Sequence, residues 1–283
     1  MEKVILITGT SSGFGYQMAE KIARSGHQVV ATMRDVTGKN IEPAQDLSKL
    51  ENVTVLDMDV SDSESVKTAV AEVLERFKKV DVVINNAGIQ GSGLLEGYSI
   101  EQFHKFMDVN LYGVLRVYNE LLPSMRKAKD GLIINISSYA GRISPPFQIP
   151  YNASKFAIEA ATEGGYTELI VHGIETVMIE PGPFLTEMYS KQGVDADKAE
   201  IEGKYGEDTA IIMSGYGVKL GGALQKYQPQ PSDIADAALA LIEMKKGTRP
   251  IRTTVDPIAQ GLDAEYNKLT EPLKRKLNAQ YFS

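Results

Sequence analysis

The sequence predicts an α/β fold built on a doubly wound parallel β-sheet, and three observations support this prediction. Short apolar runs rich in β-branched residues alternate with segments of helical period, which is the pattern of consecutive βαβ units. The first apolar run leads directly into a glycine-rich loop and a helical segment. No linker-like tract, block of like charges or internal repeat divides the 283 residues. We therefore expect a single domain over residues 1–283.

The predicted strands and helices follow one another along the first two thirds of the chain. Strands are expected at residues 4–7, 28–33, 53–56, 80–84, 132–136 and 176–179. Helices are expected at residues 14–25, 61–77, 100–127 (as two helices) and 151–171. Ser61 with Glu64, and Ser99 with Gln102, have the spacing of a capping box at a helix start. A helix at 233–244 and a strand at 250–255 follow, which gives about seven strands flanked by helices.

Two segments of the C-terminal third depart from the alternation. At residues 186–230 apolar and aromatic side chains are scattered among glycines and charges, as is typical of a lid, and we expect a substrate lid there. Its candidate residues are Met188, Tyr189, Tyr205, Ile211, Ile212, Met213, Tyr216 and Tyr227. Residues 256–283 form a tail with apolar residues at near-helical spacing, and Pro272 predicts a break in it. We expect this tail to pack on the domain or to cover the substrate site, with a membrane-surface helix as the alternative.

Composition narrows the classes of function. A net charge of -7 argues against a nucleic-acid partner, and 43% hydrophobic with 24% charged residues is ordinary for a globular protein. Without cysteine the chain has no disulfide and no thiolate metal site, and its three scattered histidines predict no metal site. No apolar run approaches the roughly 20 residues of a membrane span, and the apolar run at residues 4–7 is too short for a signal peptide. We expect a cytoplasmic protein.

The glycine-rich loop predicts a dinucleotide site. Thr8 is followed by Gly9, and the loop ends at Gly13, Phe14 and Gly15. Gly9 would permit the tight turn, Gly13 the approach of a pyrophosphate to the backbone, and Gly15 close packing of the helix on the sheet. The helix N-terminus then offers N–H groups to the phosphates. A simple turn is the alternative interpretation, but the position between strand and helix favours phosphate binding.

A tyrosine and a lysine predict the chemistry. Tyr151 and Lys155 stand four residues apart, so in a helix they share one face. A lysine ammonium beside a phenol lowers the pKa of the phenol from about 10, which would let the tyrosine exchange a proton with a substrate oxygen near neutral pH. A solvated helix face would produce the same spacing, so this pair alone leaves both interpretations open.

Three motifs together resemble those of the short-chain dehydrogenase/reductase family: the glycine spacing TGxxxGxG, the sequence NNAG at Asn85–Gly88 and the YxxxK pair. Within this family, the chain resembles the branch of 17β-hydroxysteroid and retinol dehydrogenase-like carbonyl reductases. The resemblance covers residues 3–190 and implies the doubly wound Rossmann fold. It implies a catalytic tetrad of Asn110, Ser138, Tyr151 and Lys155. The cofactor residues that it implies, together with the glycine loop, are Gly9, Ser11, Ser12, Gly13, Phe14, Gly15, Arg34, Asp59, Val60, Asn86, Ala87, Gly88, Tyr151, Lys155, Pro181, Gly182 and Thr186.

The end of the second strand favours NADP(H) over NAD(H). An NAD enzyme places a carboxylate there for the ribose 2′-hydroxyl, whereas an NADP enzyme places a cation for the 2′-phosphate. In the family register the acidic position is Met33, and Arg34 follows it. A guanidinium binds phosphate with two hydrogen bonds. Asp35 complicates this assignment. If the register of the strand end were shifted by one residue, the Asp35 carboxylate would face the ribose instead, so NAD(H) stays the alternative.

The resemblance therefore implies hydride transfer between nicotinamide C4 and the carbonyl or secondary alcohol of a mostly apolar small molecule, such as a ketone, an aldehyde, or a steroid- or retinoid-like compound. Tyr151 is expected to act as acid and base, Ser138 to place the substrate oxygen, and Asn110 to hold a water that relays protons to Lys155. A non-catalytic NADP-sensing or scaffold protein and an enoyl reductase are the alternatives. A homodimer or homotetramer through the two helices at residues 111–125 and 151–171 is also implied.

Overall fold

Seven parallel strands form the centre of the protein. A computed structural model describes residues 2–186 and 194–282. The strands are β1 (Val4–Thr8), β2 (Gln28–Met33), β3 (Val53–Asp57), β4 (Val82–Asn85), β5 (Gly131–Ile136), β6 (Ile174–Pro181) and β7 (Arg252–Val255). Their order across the sheet is β3-β2-β1-β4-β5-β6-β7, and every neighbouring pair is parallel. The doubly wound fold predicted from the sequence is confirmed.

Nine α-helices in the described part of the chain surround the sheet. They are α1 (Gly13–Arg24), α2 (Ile41–Ser48), α3 (Ser63–Phe77), α4 (Ile100–Met107), α5 (Gly113–Ala128), α6 (Ile149–Ile170), α7 (Gly206–Tyr227), α8 (Pro231–Glu243) and α9 (Leu262–Phe282). Residues Asp108–Tyr112 form a π-helical turn between α4 and α5. Among residues 2–186 and 194–282, no helix combines the length and apolarity needed to cross a membrane.

The alternation of side chains along β1 divides the core into two layers. Ile5 and Ile7 pack with α1, α2 and α8, whereas Leu6 packs with α3, α5 and α6 on the opposite face. Successive strand residues point to opposite faces, so a strand that is apolar at every position must be covered on both. The two layers leave the carboxyl ends of the strands free to form a cleft.

Of three predicted helix features, two differ in the structure. The N-cap of α3 is Asp62, whose carboxylate accepts from the backbone N–H groups of Glu64 and Ser65, because Ser61 instead donates to Asp59. By contrast, Ser99 does cap α4, accepting from Gln102 N at 3.2 Å. The tail does not break at Pro272: α9 continues through it, and the carbonyl that proline cannot bond lies on the exposed side, where water can hydrogen-bond it.

The region predicted as a lid is largely helical, and the tail contacts the domain through polar side chains. Helix α7 occupies residues 206–227, while Met188 and Tyr189 lie outside the described residues. Helix α9 lies beside β7 and contacts the domain through polar side chains such as Asn267 and Thr270. Its apolar side chains are exposed: Leu262, Tyr266, Leu269, Leu273, Leu277 and Tyr281.

Candidate active site

A cleft of about 450 Å³ lies at the carboxyl ends of β1, β2, β3 and β4. The predicted cofactor residues that line it are Gly9, Ser11, Ser12, Gly13, Phe14, Arg34, Asp59, Val60, Asn86, Ala87, Gly88 and Thr186. A second, narrower cavity of about 50 Å³ shares Phe14, Asn86 and Thr186 with the first. The narrow cavity is lined by Ser138, Tyr151 and Lys155, together with Pro181 and Gly182. The two groups of predicted residues therefore meet in one continuous groove.

The glycine loop has the geometry that a dinucleotide phosphate needs. Gly9 and Gly13 have φ values of +71° and +55°, which favour glycine. A Cβ on Gly9 would lie 2.7 Å from the Cα of Ala87. A Cβ on Gly15 would lie 2.2 Å from the carbonyl oxygen of Gly9, so Gly15 acts in packing and does not line the cleft. The residues present therefore fit a dinucleotide whose phosphates approach the backbone closely.

The NNAG sequence fastens β4 to its neighbours. Asn85 Nδ2 donates to Asn135 Oδ1 on β5 at 2.9 Å. Asn86 Nδ2 donates to the carbonyl oxygens of Thr8 and Gly9, both at 2.9 Å. The Thr8 hydroxyl in turn accepts from the backbone N–H groups of Asn86 and Ala87. These bonds hold the glycine loop against the end of β4 and thereby fix the shape of the cleft.

The end of β2 carries an exposed cation and a carboxylate that accepts a hydrogen bond from its own loop. Arg34 lines the cleft with its guanidinium Nη1 3.6 Å from Asp59 Oδ2. The Asp35 side chain turns back to its own loop, where it accepts from the backbone N–H of Lys39 at 2.8 Å. Lys39 and Asn40 also line this end of the cleft, although the sequence analysis did not single them out. A turn made by residues 35–40 brings them there, and no periodic pattern marks it.

Three of the four predicted catalytic residues converge on the narrow cavity. Ser138 follows β5 and lines this cavity together with the half-buried Tyr151 on α6. The Lys155 Nζ lies 5.6 Å from the centre of the Tyr151 ring and donates to the carbonyl oxygen of Ile136 at 2.8 Å. The i, i+4 spacing on one helix thus places the two side chains side by side.

The pKa of Tyr151 differs from the sequence-based expectation. Burial raises it to about 12, and the neighbouring Ser138 acts in the opposite direction. Burial also lowers the pKa of Lys155 to about 8, and the charge of Glu159 opposes that decrease. The decrease in the pKa of the phenol expected from the sequence is therefore not found, because desolvation by burial outweighs the influence that lowers it.

Asn110 occupies the π-helical turn and is buried. Its Oδ1 accepts from the backbone N–H of Ile89 at 2.8 Å, and its Nδ2 donates to the Ile89 carbonyl and to the Ser154 hydroxyl, both at 2.9 Å. The side chain therefore joins the loop after β4 to the catalytic helix α6. Ser154 lies within the YNASK sequence, yet only the fold identifies it as the partner of Asn110.

The comparisons with known proteins decide the family. The family profile described as short chain dehydrogenase matches residues 3–197. The chain belongs to the short-chain dehydrogenase family. It is 34% identical over 265 residues to 3-ketodihydrosphingosine reductase of Bacteroides thetaiotaomicron, covering 93% of this chain and 91% of that protein. It is 32% identical over 273 residues to human retinol dehydrogenase 8, covering 95% and 84%. The predicted family and its retinol dehydrogenase-like branch are confirmed.

Solved structures of this family have the same fold. A short-chain dehydrogenase from Streptomyces avermitilis superposes with a TM-score of 0.74 at 30% identity, covering 99% of both chains. An alcohol dehydrogenase from Thermococcus sibiricus in complex with 5-hydroxy-NADP gives 0.72 at 28% identity, over 90% and 96%. A 3-ketoacyl-(acyl-carrier-protein) reductase from Brucella melitensis in complex with NADH gives 0.74 at 25% identity, over 90% and 97%. Relatives of this chain thus bind either type of nicotinamide coenzyme.

Proposed function

We propose that this chain is an NADP(H)-dependent oxidoreductase that interconverts a carbonyl group and an alcohol on a mostly apolar small molecule. The observation that carries the proposal is the convergence of the Ser138 and Tyr151 hydroxyl groups on one cavity beside the Lys155 ammonium. This group lies at the narrow end of a groove whose wide end has a glycine cradle and Arg34. Two of the similar solved structures are complexes, one with an NADP derivative and one with NADH, and they support a nicotinamide coenzyme for this chain.

The proposed reductive step uses two hydroxyl groups of the chain. NADPH held by the glycine loop and Arg34 would supply the hydride that reduces the carbonyl carbon. Tyr151 donates its proton to the carbonyl oxygen, and Ser138 donates a hydrogen bond to the same oxygen as it gains negative charge. A pKa of about 12 keeps the Tyr151 hydroxyl protonated at neutral pH, which is the form that reduction needs. The resulting phenolate regains a proton through the neighbouring Lys155 ammonium, and a water held at Asn110 would connect that lysine with solvent.

Several features support an apolar substrate with a carbonyl group. The narrow cavity includes Phe14 and Phe184, whose rings pack edge to face with centroids 5.2 Å apart. Tyr216 of α7 packs on Phe147, and its hydroxyl lies 3.4 Å from that of Tyr139, which lines the cavity. Helix α7 thus covers this side of the groove, in keeping with a lid at residues 186–230. The names of two relatives, 3-ketodihydrosphingosine reductase and retinol dehydrogenase 8, also refer to compounds with long apolar chains. A cytoplasmic location, where NADPH is kept reduced, would favour the reductive direction.

Turnover with a substrate panel tests the proposal. NADPH oxidation would be followed by absorbance with ketones, aldehydes and enones of increasing apolar chain length. We expect activity with a ketone or an aldehyde, and kcat/KM that rises with apolar length. Reduction of enones alone would favour an enoyl reductase, and NADPH binding without turnover of any compound would favour a sensing or scaffold role.

The Tyr151→Phe variant tests the role of the phenol. Removal of the acid should lower kcat by at least about a hundredfold, while the dissociation constant for NADPH, measured by fluorescence, changes by no more than about twofold. Tyr139→Phe is the matched control, because it removes a phenolic hydroxyl of the same cavity outside the proposed tetrad. Tyr151→Phe with kcat close to that of the original chain would overturn the assignment of Tyr151 as acid.

A further inference from the structure

A cluster of buried charges lies next to the proposed catalytic lysine. Arg252 at the start of β7 is buried and forms ion pairs with four carboxylates. They belong to Glu159 and Glu163 on α6, Glu180 on β6 and Glu271 on α9. Buried charges are costly unless they are paired, so one arginine among four carboxylates requires further cations nearby.

Those cations come from three other segments. Arg142, which follows β5, lies 3.3 Å from Glu180, and Lys274 of α9 lies 2.6 Å from Glu163. These two and Arg252 are three cations against four carboxylates. Lys155 is the fourth cation, because its ammonium is buried and interacts with the charge of Glu159. With Lys155 included, the cluster has four cations and four carboxylates, of which Glu163 and Glu271 are partly exposed.

Glu159 connects this cluster with both sides of the active site. It follows Lys155 by four residues on α6, and both side chains are buried. Its Oε1 accepts from the hydroxyl of Ser137 at 2.5 Å, and its Oε2 accepts from Arg252 Nη2 at 3.0 Å. A Cβ on Gly141 would lie 2.8 Å from both Glu159 Cγ and Ser137 Oγ, so the segment after β5 can approach the carboxylate only because this residue is glycine.

We propose that Glu159 is a positioning residue that keeps Lys155 charged within the buried site and, through Ser137, fixes the strand end that carries Ser138. The inference deepens the proposed function, on which the role of Lys155 depends. Burial lowers the pKa of Lys155, and the charge of Glu159 is what opposes that decrease. Arg252 in turn favours the ionised form of Glu159, whereas burial and the charge of Glu180 raise its pKa.

The Glu159→Gln variant tests this inference. Glutamine keeps the shape of the side chain and an oxygen that can accept from Ser137, but it removes the charge. The pKa of Lys155 would be measured by NMR titration of chain labelled with ¹³C at the lysine ε-carbons, with Lys155→Arg identifying the signal. We expect the pKa of Lys155 to fall by about one unit. The alkaline limb of the kcat/KM profile should move to lower pH by the same amount, because Lys155 then loses its proton at lower pH.

Glu163→Gln is the matched control, since it removes a carboxylate of the same cluster from the same helix but lacks the contact with Ser137. We expect it to leave the pKa of Lys155 unchanged. An unchanged pKa in Glu159→Gln, or an equal decrease in both variants, would overturn the inference. Because the titration needs no turnover, a chain without activity would contradict the proposed function while the NMR result still decides the role of Glu159.

A second variant covers the case in which Glu159→Gln does not fold. Glu180→Gln removes a charge that disfavours the ionised form of Glu159, and its amide oxygen can still accept from Arg142 and Arg252. Glu159 should then be more fully ionised at neutral pH, and the pKa of Lys155 should rise or stay constant. A decrease in the pKa of Lys155 in this variant would contradict the inference.

Discussion

At the scale of single residues, the wide end of the cleft presents an exposed cation and a carboxylate that already accepts a backbone hydrogen bond. Arg34 reaches the cleft with more than half of its side chain exposed. Asp35 has φ of +52° and accepts from the backbone N–H of Lys39. The carboxylate has two oxygens, so it can keep that bond and still accept from a ribose hydroxyl, and it lines the cleft as Arg34 does. Asp35 therefore stays a competing group at this position, and the exposed guanidinium of Arg34 is the feature that supports the proposed preference for NADP(H).

The coenzyme preference is tested with Arg34→Ala. A hydrogen bond from a guanidinium to phosphate contributes about 1.5–3 kcal/mol, so kcat/KM with NADPH should fall by at least about tenfold. With NADH, kcat/KM should change by less than about twofold, because NADH lacks the 2′-phosphate. Arg24→Ala, which removes an exposed arginine on α1 that pairs with Glu20, is the control. Higher kcat/KM with NADH than with NADPH in the original chain would contradict the preference.

At the scale of elements, α6 carries the catalytic residues and also contains two glycines. Gly164 is exposed, and a Cβ built on it has no heavy atom within 4 Å apart from its own helix and neighbours. Two adjacent glycines in a helix interior, here Gly164 and Gly165, either weaken the helix or allow another helix to approach closely. Among the described residues nothing approaches Gly164, so the weakening is the property that the structure supports.

We therefore expect Gly164→Ala to stabilise the protein by up to about 1 kcal/mol, because alanine restricts the unfolded chain and favours the helix. The free energy of unfolding would be measured by urea denaturation. Gly15→Ala is the contrasting variant, since its Cβ would overlap the Gly9 carbonyl oxygen and should destabilise the chain. Destabilisation by Gly164→Ala would indicate that another copy of the chain packs against this part of α6.

Elements with a strong local pattern were predicted well, and the failures have physical reasons. The range 28–33 predicted for β2 agrees with the structure, because β-branched residues buried on both faces leave little ambiguity. Helix α7 was missed because glycines interrupt its apolar pattern. The π-helical turn at Asn110 and the ion pairs of Arg252 could not be predicted, since both depend on segments that are distant in sequence. The residues predicted as the tetrad were identified from their motifs, and three of them line one cavity, whereas Glu159 has no motif of its own.

At the scale of the whole molecule, exposed apolar side chains suggest how copies of the chain associate. Tyr112 in the π-helical turn and Phe156 on α6 are exposed. They belong to the two helical segments through which the family resemblance implies a dimer. Helix α9 exposes a separate stripe of leucines on the far side of its polar contacts with the domain. Among the described residues, exposed apolar side chains thus lie at the π-helical turn and α6 and, separately, on α9.

Light scattering distinguishes these surfaces. We expect a mass at least twice the 30.9 kDa of the single chain, with association through α5 and α6. Phe156→Asp should lower the mass toward that of the monomer, because an unpaired carboxylate would be buried in the interface. Leu277→Asp on α9 should leave the mass unchanged. A monomeric original chain would rule out the dimer, and dissociation by Leu277→Asp alone would locate the interface on α9.

The position of β1 between β2 and β4 has a consequence for the order in which the protein assembles during synthesis. The hydroxyl of Thr8 and the backbone of Asn86, 78 residues apart, bond to each other and hold the glycine loop. One edge of β1 can pair with β2 early, but its other edge stays open until β4 has been synthesised. The coenzyme cradle therefore cannot form on the ribosome from the first βα unit alone. A nascent chain that ends before residue 87 should be unable to retain the dinucleotide.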